Sequence, residues 1–100
     1  MKLKAGVRIG GIRPEAVVGM MLVDSVYQEI GFELTVTSIG EGKHKTRSDH
    51  YDGRAFDCRT RFFTDKQKES VVDSVKSALG DDFIVILEST HMHISWRPLR

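Results

Sequence analysis

The sequence predicts a small α+β domain, and three observations predict it. Two segments carry helix start and stop signals, several short runs alternate or concentrate apolar β-branched residues, and the last two of those runs flank a tight turn. A chain of 100 residues, 40% of them hydrophobic, has room for one domain with one core, so residues 1–100 are expected to form a single unit. The expected architecture is a small antiparallel sheet flanked by two main helices.

The first helix is read from Pro14 and the run Glu15 to Ile30. Proline suits a first helical turn, where its missing N–H has no intrahelical partner to lose, and Gly31 stands where a helix stops. Phe32, Leu34 and Val36 then alternate with Glu33, Thr35 and Thr37, the period of a half-buried strand. From Ser38 to Asp49 the chain is glycine-rich and charged without a period, which reads as a surface loop of the kind that carries function. A short strand follows over Arg54 to Arg61. The second helix runs from about Asp65 to Leu79, with Thr64 and Gln67 spaced as a capping box and Gly80 as its stop. Its buried stripe is expected to be Val71, Val72, Val75, Ala78 and Leu79. Phe83 to Leu87 is short, apolar and β-branched, as a buried strand would be, and His91 to Trp96 returns beside it after a turn at Ser89-Thr90. Trp96, Met20 and Met21 are expected in the core.

Fifteen basic and fourteen acidic residues leave a net charge of +1, so no general field draws the chain to nucleic acid or to a membrane. The most apolar segment, Ala16 to Val23, ends at Asp24 after eight residues, far below the roughly 20 that span a bilayer. The start of the chain is charged without an apolar stretch behind it, and a soluble protein made in the cytoplasm without a signal peptide is expected. Cys58 is the single cysteine, which leaves no internal disulfide; strand alternation turns it away from Asp57, so it reads as a small buried hydrophobe. A monomer is expected.

All four histidines fall into two clusters, His44 and His50 in one, His91 and His93 in the other, and each cluster has a nearby carboxylate, Asp57 or Glu88. Zinc takes imidazole nitrogen and carboxylate oxygen at roughly 2.0–2.2 Å, and a catalytic site uses three protein ligands and an open position. Residues two apart on a strand share a face, so His91, His93 and Ser95 point one way while Met92, Ile94 and Trp96 point to the core.

The string Ser48-Asp49-His50-Tyr51-Asp52-Gly53-Arg54-Ala55-Phe56-Asp57 resembles the Ser-x-His-x-x-Gly-x-Ala-x-Asp signature of the zinc D,D-peptidases that cut peptidoglycan stem peptides. Glu88 followed by His91-x-His93 is similar to the second motif of that family, which includes D-alanyl-D-alanine carboxypeptidases, phage endolysins and, as a divergent relative, the Hedgehog signalling domain. His44, six residues before His50, together with the His-x-His pair, looks especially like the Hedgehog branch. The resemblance spans about residues 36–96. It implies a zinc cofactor held by His50, Asp57 and one histidine of the last strand. Branches with a His-x-His pair point to His93, our choice, and the dipeptidase branch points to His91. Glu88 then resembles the general base, taking a proton from the attacking water and handing it to the leaving amine. His91, when not a ligand, would stabilise the oxyanion. Ser48 looks like the residue that hydrogen-bonds substrate near the metal, and His44 is open between a substrate contact and an exposed loop residue. Bacterial members carry an arginine ahead of the first motif for the substrate carboxylate; Thr37 to Gly42 has none, which leaves Lys43, Lys45, Arg47 or Arg54 as substitutes. The implied activity is hydrolysis of amide bonds in peptidoglycan peptides, in an enzyme of phage or prophage type released to act on the cell wall. A zinc-stabilised binding module without the chemistry is the alternative.

Overall fold

The computed structural model describes residues 1–39 and 53–98. In chain order the elements are β1 (Lys2–Leu3), α1 (Pro14–Glu29), β2 (Thr35–Ser38), β3 (Ala55–Arg59), α2 (Asp65–Leu79), β4 (Phe83–Leu87) and β5 (His91–Trp96). The strands make one sheet in the order β1-β2-β3-β5-β4, and both helices are present as the sequence predicts. Every neighbouring pair is antiparallel except β1 with β2, which run parallel, so the sheet is mixed rather than purely antiparallel. The parallel pair comes from two residues, Lys2 and Leu3, whose run is too short for any periodicity to be read from sequence.

The helix ends follow from local chemistry. At the close of α1, Gly31 takes φ 82°, and its N–H donates to the Gln28 carbonyl while Phe32 N–H donates to the Tyr27 carbonyl, both at 3.0 Å. The first of these bonds satisfies a carbonyl of the last turn that has no intrahelical donor, and the second adds to the bond that Ile30 N–H makes to the Tyr27 carbonyl at 3.2 Å. At the start of α2, Gln67 N–H donates to Thr64 Oγ1 at 3.1 Å and Thr64 N–H donates to Gln67 Oε1 at 2.8 Å, completing the predicted capping box.

The helices pack side by side on one face of the sheet. Ala16, Met20, Val23 and Tyr27 of α1 and Val71, Val75 and Leu79 of α2 close over Val36, Phe56, Cys58, Met92 and Ile94. Four residues assigned to the core by sequence depart from that assignment. Met21 is 60% exposed, since it follows Met20 by one position and so falls about 100° around the helix from the packed face. Ala78 is exposed on α2 for the same reason, while Val72 and Trp96 are half-buried. The fully buried reading of β4 is corrected as well: it is an edge strand, covered by helices on one face only, so Phe83 and Val85 pack on the core while Ile84 and Ile86 are 45% and 46% exposed.

Tyr27 anchors the centre. Its ring lies edge-on to Phe63 with centroids 5.5 Å apart, and its hydroxyl donates to the Arg59 carbonyl at 2.9 Å. Burial, with a smaller contribution from Cys58, pushes the Tyr27 hydroxyl well above its ordinary pKa. Burial, then the charge of Asp57, likewise raises the Cys58 thiol. Cys58 is thus the inert, buried residue that strand alternation predicts.

Candidate metal centre

The face of the sheet away from the helices is built by register. Ala55 pairs with Ser95, Asp57 with His93, and Arg59 with His91 across β3 and β5. Across β5 and β4, Ser95 meets Ile84 and His93 meets Ile86, and Glu88 N–H donates to the His91 carbonyl at 2.8 Å to close the hairpin. Since odd positions of β3 and β5 and even positions of β4 share this face, three rows result: Ala55–Ser95–Ile84, Asp57–His93–Ile86 and Arg59–His91–Glu88.

The middle row carries the polar centre. Asp57 is buried to 9% exposure with its carboxylate between two imidazoles. Its Oδ1 lies 3.0 Å from His93 Nδ1, and its Oδ2 lies 3.8 Å from His91 Nε2. The remaining nitrogen of each ring also has a neighbour: His93 Nε2 is 3.1 Å from Ser95 Oγ, and His91 Nδ1 is 3.4 Å from Thr90 Oγ1. Backbone pairing of two central strands fixes the three groups, so their convergence does not rest on loop conformation.

Imidazole nitrogen and carboxylate oxygen are both donors that zinc accepts. Ligand bonds of roughly 2.0–2.2 Å in a tetrahedron put ligand atoms about 3.3–3.6 Å apart. The separations of 3.0 Å and 3.8 Å around Asp57 fall on either side of that distance. Among the described residues no group of three His, Cys, Asp or Glu side chains is arranged to hold a metal ion. His50, expected as the third ligand, lies outside the described residues, as do His44 and Ser48.

The other expected site residues divide. His91 and His93 stand together at Asp57. Glu88 is exposed at the hairpin end, in the row next to Asp57 and across from His91. Arg54 is not brought to this centre: its guanidinium carbon sits 5.3 Å from the centroid of the Trp96 ring, on the side of the strands occupied by Phe56 and Ile94. Gly53, where φ is 71°, accepts a hydrogen bond from Arg13 N–H at 2.9 Å, which ties the entry of β3 to the entry of α1.

Two residues on this face had no role in the sequence reading. Arg59 shares the site face because it lies two positions beyond Asp57, a spacing visible in the sequence once β3 is assigned. Ser95 was grouped with the histidines by the same alternation, but its bond to the His93 ring needs the rotamers and is not legible in the chain. Comparison with protein-family models finds no match, and comparison with curated proteins finds none either. No helix among the described residues is long and apolar enough to cross a membrane.

Proposed function

We propose that the chain is a zinc-dependent peptidase that hydrolyses amide bonds in peptidoglycan stem peptides. The observation that carries this reading is the buried Asp57 carboxylate held between His93 Nδ1 and His91 Nε2 on one sheet face, four residues after Gly53 in a string that resembles the D,D-peptidase signature. His50, Asp57 and His93 would hold the metal. A bound zinc ion supplies Lewis acidity, polarising the scissile carbonyl and acidifying water.

The chain's own residues account for the rest of the chemistry. Glu88 accepts the proton of the attacking water as oxygen adds to the amide carbon, and returns a proton to nitrogen as the C–N bond breaks, leaving a carboxylate and an amine. His91 donates a hydrogen bond to the oxygen that gains charge. Arg54 is engaged with Trp96, so the substrate carboxylate is assigned instead to Arg59, which shares a row with His91 and Glu88. The exposed Ile84 and Ile86 border the same face and suit the methyl groups of alanine-containing peptides. By analogy with small lytic enzymes, a phage or prophage origin and release onto the cell wall accompany this reading, as does action as a monomer without nucleic-acid or membrane partners.

The test is metal content of the purified protein together with release of D-alanine or peptide fragments from peptidoglycan, run beside Glu88→Ala and His50→Ala. About one zinc per chain is expected. Glu88→Ala should keep the metal and lose turnover, and His50→Ala should lose both. Zinc bound with no cleavage by the unsubstituted chain would replace this reading with a zinc-stabilised binding module, and full turnover in Glu88→Ala would refute the role of that residue.

A further inference from the structure

We infer that Ser95 is the positioning residue of the metal centre, and that its hydroxyl serves His93 in two tautomers, one without zinc and one with it. The inference rests on the zinc reading above. His93 presents Nδ1 to the Asp57 carboxylate at 3.0 Å and Nε2 to Ser95 Oγ at 3.1 Å. Each ring nitrogen thus has a neighbour among the described residues, and Nδ1 is the one that faces the carboxylate expected to share the metal. Nδ1 is thus the ligand atom, and Nε2 belongs to Ser95.

The two states make opposite demands on Nε2. Without metal, the tautomer whose Nδ1–H donates to the Asp57 carboxylate leaves a lone pair on Nε2, which needs a donor. With zinc on Nδ1, the hydrogen moves to Nε2, which then needs an acceptor. A hydroxyl meets both demands by rotating about its C–O bond, since it donates one hydrogen and accepts at two lone pairs. A carboxylate at this place would serve only the second state, and alanine would serve neither. Ser95 is 3% exposed and pairs across the sheet with Ala55 and Ile84, so the β-ladder fixes its backbone.

The Asp57–His93–Ser95 line has the spacing of a hydrolytic triad, but the burial of Ser95 leaves no approach for an acyl group to Oγ. Its hydroxyl supports the ring and does not attack substrate.

Long-range ¹H–¹⁵N correlation spectra of the ¹⁵N-labelled full chain, with and without zinc, report which nitrogen of His93 carries hydrogen. Competition against a chromophoric chelator reports zinc affinity. The expected result is Nδ1–H in the metal-free chain and Nε2–H in the zinc-loaded chain. Ser95→Ala should weaken zinc binding about 10- to 100-fold, with Ser95→Thr restoring most of it. Zinc bound through Nε2 of His93, or an affinity unchanged in a folded Ser95→Ala chain, would overturn the role of Ser95 while leaving the metal reading intact. Loss of peptide hydrolysis in Ser95→Ala at saturating zinc, with zinc affinity unchanged, would overturn it in favour of a nucleophile. No zinc uptake by the unsubstituted chain would overturn both readings. If Ser95→Ala does not fold, the spectra of the unsubstituted chain still decide which nitrogen binds.

Discussion

Replacing Gly53 by alanine tests the tie between the entry of β3 and the entry of α1. At φ 71° an L-residue sits in the left-handed region, and a β-carbon there would overlap the Gly11 carbonyl oxygen and come within 3.0 Å of Gly11 C and 3.1 Å of Ile12 Cα. The conformational part costs roughly 1–2 kcal/mol. Moving the Gly11–Arg13 segment aside also strains or breaks the 2.9 Å bond from Arg13 N–H to the Gly53 carbonyl. That bond contributes about 1 kcal/mol. The sum is about 2–3 kcal/mol, which in a domain of this size lowers Tm by on the order of 10–20 °C. Gly31→Ala is the control: its φ of 82° imposes the same conformational strain, but open space surrounds the added carbon. Thermal unfolding followed by circular dichroism in chelator, for both variants and the unsubstituted chain, separates the contact from the strain. An equal drop in the two variants, or none in Gly53→Ala, would refute the argument that Gly53 is packed against the entry of α1.

Two other outcomes are expected on the same material. Thr64→Ala removes one bond of the capping box and orphans the Gln67 N–H, so urea unfolding should report a loss of about 1 kcal/mol; an unchanged midpoint would mean that water replaces the cap fully. Stability should be independent of Cys58 and Tyr27 below pH 9.0, the ordinary value of the thiol, because both groups then keep their protons folded or unfolded. Above that pH the unfolded chain releases the Cys58 proton while the folded chain retains it, and above 10.0 the same holds for Tyr27, so stability falls in two successive limbs. Cys58→Ser should erase the first limb alone, and a flat profile through both limbs would contradict the burial of these groups.

The helices were legible because their ends carry chemistry: Pro14, Gly31, Thr64 with Gln67, and Gly80 each mark a terminus through a local bond or φ angle. That His91 and His93 share one face was legible from alternation alone, whereas their approach to Asp57 was implied only by the family resemblance. Sequence did not reveal that β4 lies at an edge, because Ile84 and Ile86 are chemically identical to core residues and strand order is a non-local property. The sequence offers Arg54 as a substrate contact, and the structure places it beside Trp96. It stands three positions before Asp57, so strand alternation turns it to the opposite face, and Trp96, its stacking partner, is 42 positions away.

The register between β3 and β5 also bears on how such a chain can drift in sequence. Asp57 opposes His93 because the two strands pair without interruption from Ala55 to Arg59. Removing or adding one residue within either strand would turn the histidines toward Phe56 and Cys58 and send Met92 and Ile94 outward, losing centre and core together. The turns between β3 and α2 and between α2 and β4 are under no such restriction, because the sheet hydrogen bonds align the strands whatever the length of those links. Length changes should therefore accumulate in the turns bordering α2 and be nearly absent from the two strands, and a tandem of such domains could diverge widely in outline while keeping this one cross-strand pair.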